Sequence, residues 1–290
     1  MPIVVHQAQP ARPAGDDVHQ PGIAERQQRH LRLAGVDGDR ARLREWAATA
    51  RELMAEHAGQ RLTVTLGIGA GPLPLFPGDE LDPARSDGDL GIQVCADDEL
   101  VAAGALAALV REPRWVQAGS IGEAAPTPRN LLGFKDGTLN LRRPQELDEH
   151  VWTPEGGTFL VYRRIRLDVA GWLALPVERQ ELIMGRRKVN GGPLGGGREY
   201  EERVLDALPD DAHVKLSAPD TNGGVSMLRR AYDFTDAPDD AGLAFICFVR
   251  DPASQYVPMQ RRLADRDALN AYAVHTASAL FAIPPLPVVG

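Results

Sequence analysis

The sequence predicts an α+β fold made by tandem duplication of one β-α-β-β-α-β unit, with antiparallel sheets. Three observations predict it. Segments of strict period-two alternation recur in both halves; helix-period segments separate them in a repeated order; and 29 glycines and 23 prolines in 290 residues keep each element short. In the first half, residues 30–36 alternate, with Leu31 and Leu33 on one face. Asp37-Gly38-Asp39 turns into a helix whose apolar positions (Leu43, Trp46, Ala47, Ala50, Leu53, Met54) repeat at three and four until Gly59. Leu62, Val64, Leu66 and Ile68 make a second strand; Leu90, Ile92 and Val94 make a third after a Gly/Pro loop. Asp97-Asp98 caps an Ala/Leu-rich helix that ends before Pro113, and residues 115–121 supply a fourth strand.

The second half repeats the order. Residues 158–167 alternate as a strand, and 168–185 are helical with an interruption at Pro176. After a Gly-rich stretch at 191–197 and a polar segment, 225–234 and 243–249 read as strands. Residues 252–276 read as a helix in two pieces, and 279–283 as the closing strand. Each unit has the split βαβ order of ferredoxin-like domains. The expected organisation is an arm over residues 1–22, one domain over 23–140, a charged linker over 140–157 and a second domain over 158–286. Helices cover one face of each sheet, so the crevice between the two open faces is the expected site.

Composition excludes several classes. A formal net charge of −8, without a long basic cluster, argues against nucleic acid as a partner. The longest apolar run, 100–110, is far short of the ~20 residues a membrane helix needs. Cys95 and Cys247 lie in separate apolar segments without metal-site spacing, which favours two buried free thiols over a zinc site or a disulfide. No signal peptide is visible, so the sequence as it stands predicts a cytoplasmic protein, exported only if a leader was removed.

Few segments carry chemistry. Gly67-Ile68-Gly69-Ala70-Gly71 lacks dinucleotide-binding spacing, and Pro72 and Pro74 stand where the helix would begin; the 191–197 stretch lacks the Lys-Ser/Thr of a phosphate loop. None of the seven histidines makes a metal-site pattern, but His213 sits in a short apolar break, Ala212-His213-Val214-Lys215-Leu216, within a polar loop. In Gly133-Phe134-Lys135-Asp136-Gly137-Thr138, two glycines bracket an acid and let the backbone turn sharply to present its carboxylate.

That last segment resembles the GxxDG signature of dye-decolourising haem peroxidases. Other segments fall in that family's order: His19-Gln20-Pro21-Gly22-Ile23, Gly88-Asp89-Leu90 through Asp98, Ile183-Met184-Gly185-Arg186, the His213 segment, Met227-Leu228-Arg229-Arg230-Ala231-Tyr232, Gly242 through Phe248, and Gln260-Arg261-Arg262-Leu263. The match runs from about His19 to Pro285 and looks closest to the bacterial class usually exported by the twin-arginine route. The resemblance implies two ferredoxin-like domains holding one haem b per chain, between sheet and C-terminal half, with His213 as proximal iron ligand. Asp136 and Arg229 would be the distal acid–base and cation; strand alternation turns Arg230 to the other face. Phe134, Lys135, Gly137 and Thr138 would lie against the cofactor, with Leu243 and Phe245 keeping the distal side dry. Relatives often carry Arg seven residues after the proximal His, to pair with a haem propionate; here that position is Asp220, leaving Arg187 or Lys215 as replacements.

The implied reaction reduces hydrogen peroxide to water and oxidises dyes, phenols or other one-electron aromatic donors. Bulky donors would need a surface aromatic relay, drawn from Trp46, Trp115, Trp152, Trp172, Tyr162 and Tyr232. Alternatives are a haem-binding, iron-releasing (deferrochelatase-like) protein and a cofactor-free scaffold for a protein partner. A homo-oligomer fits the resemblance, but nothing in the sequence specifies its interface.

Overall fold

A computed structural model describes residues 18–122 and 127–286. Most of the expected N-terminal arm (1–17), and residues 123–126 of the connection before the GxxDG segment, lie outside the described residues.

The first unit follows the periodicity closely: β1 (His30–Val36), α1 (Arg42–Glu56), β2 (Thr63–Gly69), β3 (Leu90–Ala96), α2 (Glu99–Leu109) and β4 (Trp115–Ser120). The Asp98 side chain accepts from the N–H groups of Leu100 and Val101, the cap that starts α2. The charged linker contains a short helix, α3 (Pro144–His150). The second unit begins with β5 (Thr158–Leu167), and Pro176 splits the next helix into α4 (Val169–Leu173) and α5 (Val177–Met184). A long excursion then carries only the five-residue α6 (His213–Ser217) and single helical turns.

Two expectations are corrected in the second unit. The strand expected over 225–234 is broken at Arg230 into β6 (Leu228–Arg229) and β7 (Tyr232–Ala237), ahead of β8 (Asp240–Val249). The expected helix over 252–276 stops early: α7 (Tyr256–Arg266) and one turn at Ala268–Ala271 precede β9 (Ala273–Ile283). Val274 and Thr276 are β-branched and suit a strand, and pairing to β5 along β9 ends the helix well before them.

Among the described residues, nine strands form one continuous antiparallel sheet rather than two separate ones. The order is β5-β9-β2-β3-β1-β4-β7-β8-β6, and a further β5–β8 pairing closes all but β6 into a ring. The seams between halves are narrow: β4 meets β7 at Ser120↔Asp233, and β2 meets β9 at Ile68↔Ala282 and Gly69↔Phe281. His19 and Gln20 brace the second seam. The Gln20 amide bonds the Leu66 backbone and the Pro284 carbonyl, while His19 stacks on Trp152 at 3.7 Å.

The ring interior is packed with Leu31, Leu33, Trp115, Tyr162, Tyr232, Ile246, Phe248 and Phe281, all buried. The crevice between the two sheets is therefore core, not the site. Outside the ring, α1 and α2 close the first unit over Trp46, Leu66, Ile92, Val94 and Leu106. On the second unit a register shift between Arg164 and Ile165 leaves Thr276 as an extra residue in β9. Such a bulge exchanges the two faces of a strand. Ala277, Ala279 and Phe281 consequently point into the ring, whereas Ala273 and His275 point out, onto an open cavity.

Candidate active site

The cavity lies between the outer face of the C-terminal half-sheet and its own short helices and loops. Ile165, Leu243, Phe245, Ala273 and His275 form its floor; Met259, Gln260 and Leu263 of α7 flank it, with Leu132 and Phe134 above. Every position singled out by the resemblance (Phe134, Lys135, Asp136, Gly137, Thr138, His213, Arg229, Leu243, Phe245) lines this one cavity. Residues up to 111 apart in sequence thus converge without any sequence periodicity linking them.

The 130–138 loop is built by local hydrogen bonds. Asn130 Oδ1 accepts from the N–H groups of Leu132 and Phe134, and the Leu131 N–H donates to Asp233 of β7 at 3.1 Å. Gly133 and Gly137 adopt φ of +82° and +95°, where an L side chain would be strained. Phe134 packs edge-on against Trp172 in the protein interior, anchoring the loop. Lys135 is ion-paired with Glu199, which also accepts from Thr138, so the loop is tied to the long excursion. Asp136 is left with a backbone bond to Pro128 and a side chain free of protein partners among the described residues.

Arg229 is aimed by a device the sequence did not disclose. The Asn140 side chain donates to the Arg229 carbonyl and accepts from its N–H, at 2.7 and 2.8 Å, in place of a missing strand neighbour. The Arg229 Nε is buried with no hydrogen-bond partner, an orphan that a native interior rarely tolerates unless a ligand completes it. Arg230 points the other way and holds the carbonyls of Ile23 and Glu25 and the Gln28 side chain.

His213 opens α6. Its Nδ1 lies 2.6 Å from Asp267 Oδ2, while Asp267 Oδ1 caps the following turn through the Leu269 N–H. This fixes the ring and leaves Nε2 unbonded, with 33% of the side chain open onto the cavity. Burial pushes the imidazole pKa down, but the charge and hydrogen bond of Asp267 outweigh it, and the net shift is upward. Asp267 is a partner that nothing in the sequence marks as such. It stands 54 residues away, in a stretch whose only visible signal is an Asp able to cap a turn.

Charge on the cavity wall is unbalanced. Arg186 and Arg203 join Arg229 there, and both have depressed pKa values: burial comes first, with neighbouring guanidinium groups adding to it. Arg187 and Lys215 do not reach the cavity; they pair with Glu181 and Asp210. The six aromatic relay candidates are all buried in the protein, and none presents a ring at the surface. Cys95 and Cys247 are buried free thiols. No helix of the described residues is long and apolar enough to cross a membrane.

A packed barrel whose outer face carries an open cavity, with an anchored imidazole in its wall, suits one class of protein: those that hold a flat, metal-bearing cofactor. The fit is supported here by an apolar slot, a bare imidazole nitrogen and guanidinium groups outnumbering carboxylates on the wall. Comparison with known proteins makes the assignment specific. Residues 127–288 match the family model for the Dyp-type peroxidase C-terminal domain, and 70–116 that for the N-terminal domain. A dye-decolorizing peroxidase of Thermobifida fusca is 36% identical over 315 aligned positions, covering 86% of this chain and 73% of its own. A deferrochelatase of Yersinia pestis is 32% identical, covering 73% of this chain; the chain spans 61% of that relative's length. Among solved structures, DtpA of Streptomyces lividans superposes with a TM-score of 0.87 at 37% identity, covering 92% of each chain. A DyP-type peroxidase of Cellulomonas bogoriensis gives 0.87 at 33%, covering 94% of each. The chain belongs to the Dyp-type peroxidase family. It is a haem-binding peroxidase with a ferredoxin-like α+β fold.

Proposed function

We propose that the cavity holds one haem b per chain, with His213 as its iron ligand and Asp136 and Arg229 as the groups that act on hydrogen peroxide. The observation that carries the reading is the His213–Asp267 pair, which presents a bare Nε2 to the same cavity as an unpartnered carboxylate and an unpartnered guanidinium. When bound, haem supplies a redox-active iron that accepts the oxidising equivalents of peroxide. The protein's part is acid–base and electrostatic. Asp267 holds the Nδ1 proton of His213 and keeps the imidazole electron-rich. An Asp136 carboxylate oxygen takes a proton from one peroxide oxygen and delivers it to the other, which departs as water. Arg229, immobilised through Asn140, offsets the negative charge that grows on the departing oxygen. Leu243 and Phe245 exclude water from this side. The electron donors are small aromatic molecules or bulkier dyes.

The absorption spectrum of the purified protein tests the reading: it should show a Soret band. His213→Ala should lose or greatly weaken haem retention while keeping the fold by circular dichroism. A wild-type protein without the band after haem is supplied, or an unaltered band in the variant, refutes it.

A further inference from the structure

The cavity contains a cation with a replaceable partner. Arg203 lines the wall, its side chain only 17% exposed, and its protein bond runs to Asp220 Oδ2 at 3.4 Å. That is long for a charge-assisted contact, which normally closes to ~2.7–2.9 Å. Asp220 is itself 72% exposed, beside Pro219 on the cavity wall and seven residues after His213. The other cations are committed. Lys135 is paired with Glu199, Arg186 donates to the carbonyls of Gly191 and Glu199, and Arg229 belongs to the peroxide site. Burial disfavours the charge on Arg203 most; Asp220 favours it and Arg229 disfavours it less, and at 3.4 Å Asp220 meets that charge only loosely.

We propose that Arg203 holds a carboxylate of the bound porphyrin, and that Asp220 competes with that carboxylate for the same guanidinium, so that this chain grips haem through a contact it also weakens. The inference rests on the haem reading above. A guanidinium presents two parallel N–H donors to one carboxylate at a time. For the porphyrin carboxylate to take both, Asp220 must swing into solvent, where its exposure already places it. Its charge nonetheless stays near the mouth and repels the incoming anion. Asp220 thus opposes haem retention, whereas an arginine at that position would support it.

The test follows haem leaving the loaded full-length protein for excess apomyoglobin, using haem and its dimethyl ester, which lacks both carboxylates. Arg203→Leu should release haem about tenfold faster while changing release of the ester less than about twofold, since only the charged contact is lost. Asp220→Asn, an exposed near-isosteric change, should slow haem release severalfold and leave the ester unchanged. Should Arg203→Leu fold poorly, Arg203→Lys keeps the charge, loses the fork and should still speed release of haem but not of the ester. Equal responses of haem and ester, or an Asp220→Asn protein that releases haem at the wild-type rate or faster, overturn the proposal. A wild-type chain that takes up neither compound overturns the haem reading itself, a distinguishable result.

Discussion

The two halves of the molecule repeat one unit and differ in what lies on its outer face. In the first, α1 and α2 run unbroken for 15 and 11 residues and lay Trp46, Ala50, Leu106 and Leu109 on the sheet, leaving no gap. In the second, the corresponding first helix is broken at Pro176, and the stretch after Met184 has no helix longer than five residues before α7. Backbone that cannot satisfy itself in a helix must find side-chain partners. Here it does so with Asn130, Asn140 and Asp267, residues that shape or brace the cavity. A continuous amphipathic helix makes a half-domain into scaffold; an interrupted one leaves room for chemistry.

Site substitutions should break this contrast most severely. Asp136→Asn and Arg229→Leu should each slow the reaction with peroxide by ~10²–10⁴-fold in stopped-flow measurements, with haem still bound. No exposed substitution on the first half, such as Leu100→Ala, should alter that rate. Next come the two cores, compared by urea denaturation of the cofactor-free protein. Ile92→Ala, in the closed half, should cost about 2–5 kcal/mol. Phe245→Ala, on the open floor, should cost clearly less, because its side chain already borders empty space. Equal losses would mean that the second half is as tightly packed as the first.

The smallest effect is a pH slope. Asp233, behind the GxxDG loop, has its pKa pushed up to about 7, chiefly by burial, with the charge of Asp136 adding to it. Between about pH 4 and 7 the unfolded chain has lost this proton while the folded one keeps it. The folded state thus binds more protons, and stability from this group falls as pH rises through that window. Asp233→Asn should remove the slope, becoming the more stable protein near pH 7 by on the order of 1–2 kcal/mol, after allowance for partial exposure. Denaturation midpoints at pH 5 and 7 check it; parallel curves for the two proteins would show that Asp233 is ionised throughout.

Much of this was legible in the sequence where physics is local. Alternation placed β1, β2, β3 and β5 within a residue or two, and Asp98 announced α2. The Gly133–Gly137 bracket marked the loop that carries Asp136, because positive φ demands glycine whatever the fold. Legibility failed where tertiary pairing decides. The first residues of β9 are strand because β5 lies beside them, and Arg230 interrupts a strand because its side chain is drawn across to residues 23–28. The partners of site residues were equally hidden. Asp267 reaches His213 across 54 residues and Asn140 reaches Arg229 across 89, distances on which periodicity is silent. Arg203, too, had no motif to mark it.

The extra residue at Thr276 has a consequence for engineering. The Arg164 guanidinium fastens it at 3.0 Å, so the kink is held from within the barrel rather than by anything the cavity contains. Drawing Thr276 into the ladder opposite Ile165 would slide His275 onto Arg166 and swing its imidazole into the oily interior, whereas deleting Thr276 would keep His275 opposite Ile165 and both faces as they are. That one unpaired residue, the fourth of an eleven-residue strand, lets positions of the same parity line the barrel at one end and the cleft at the other.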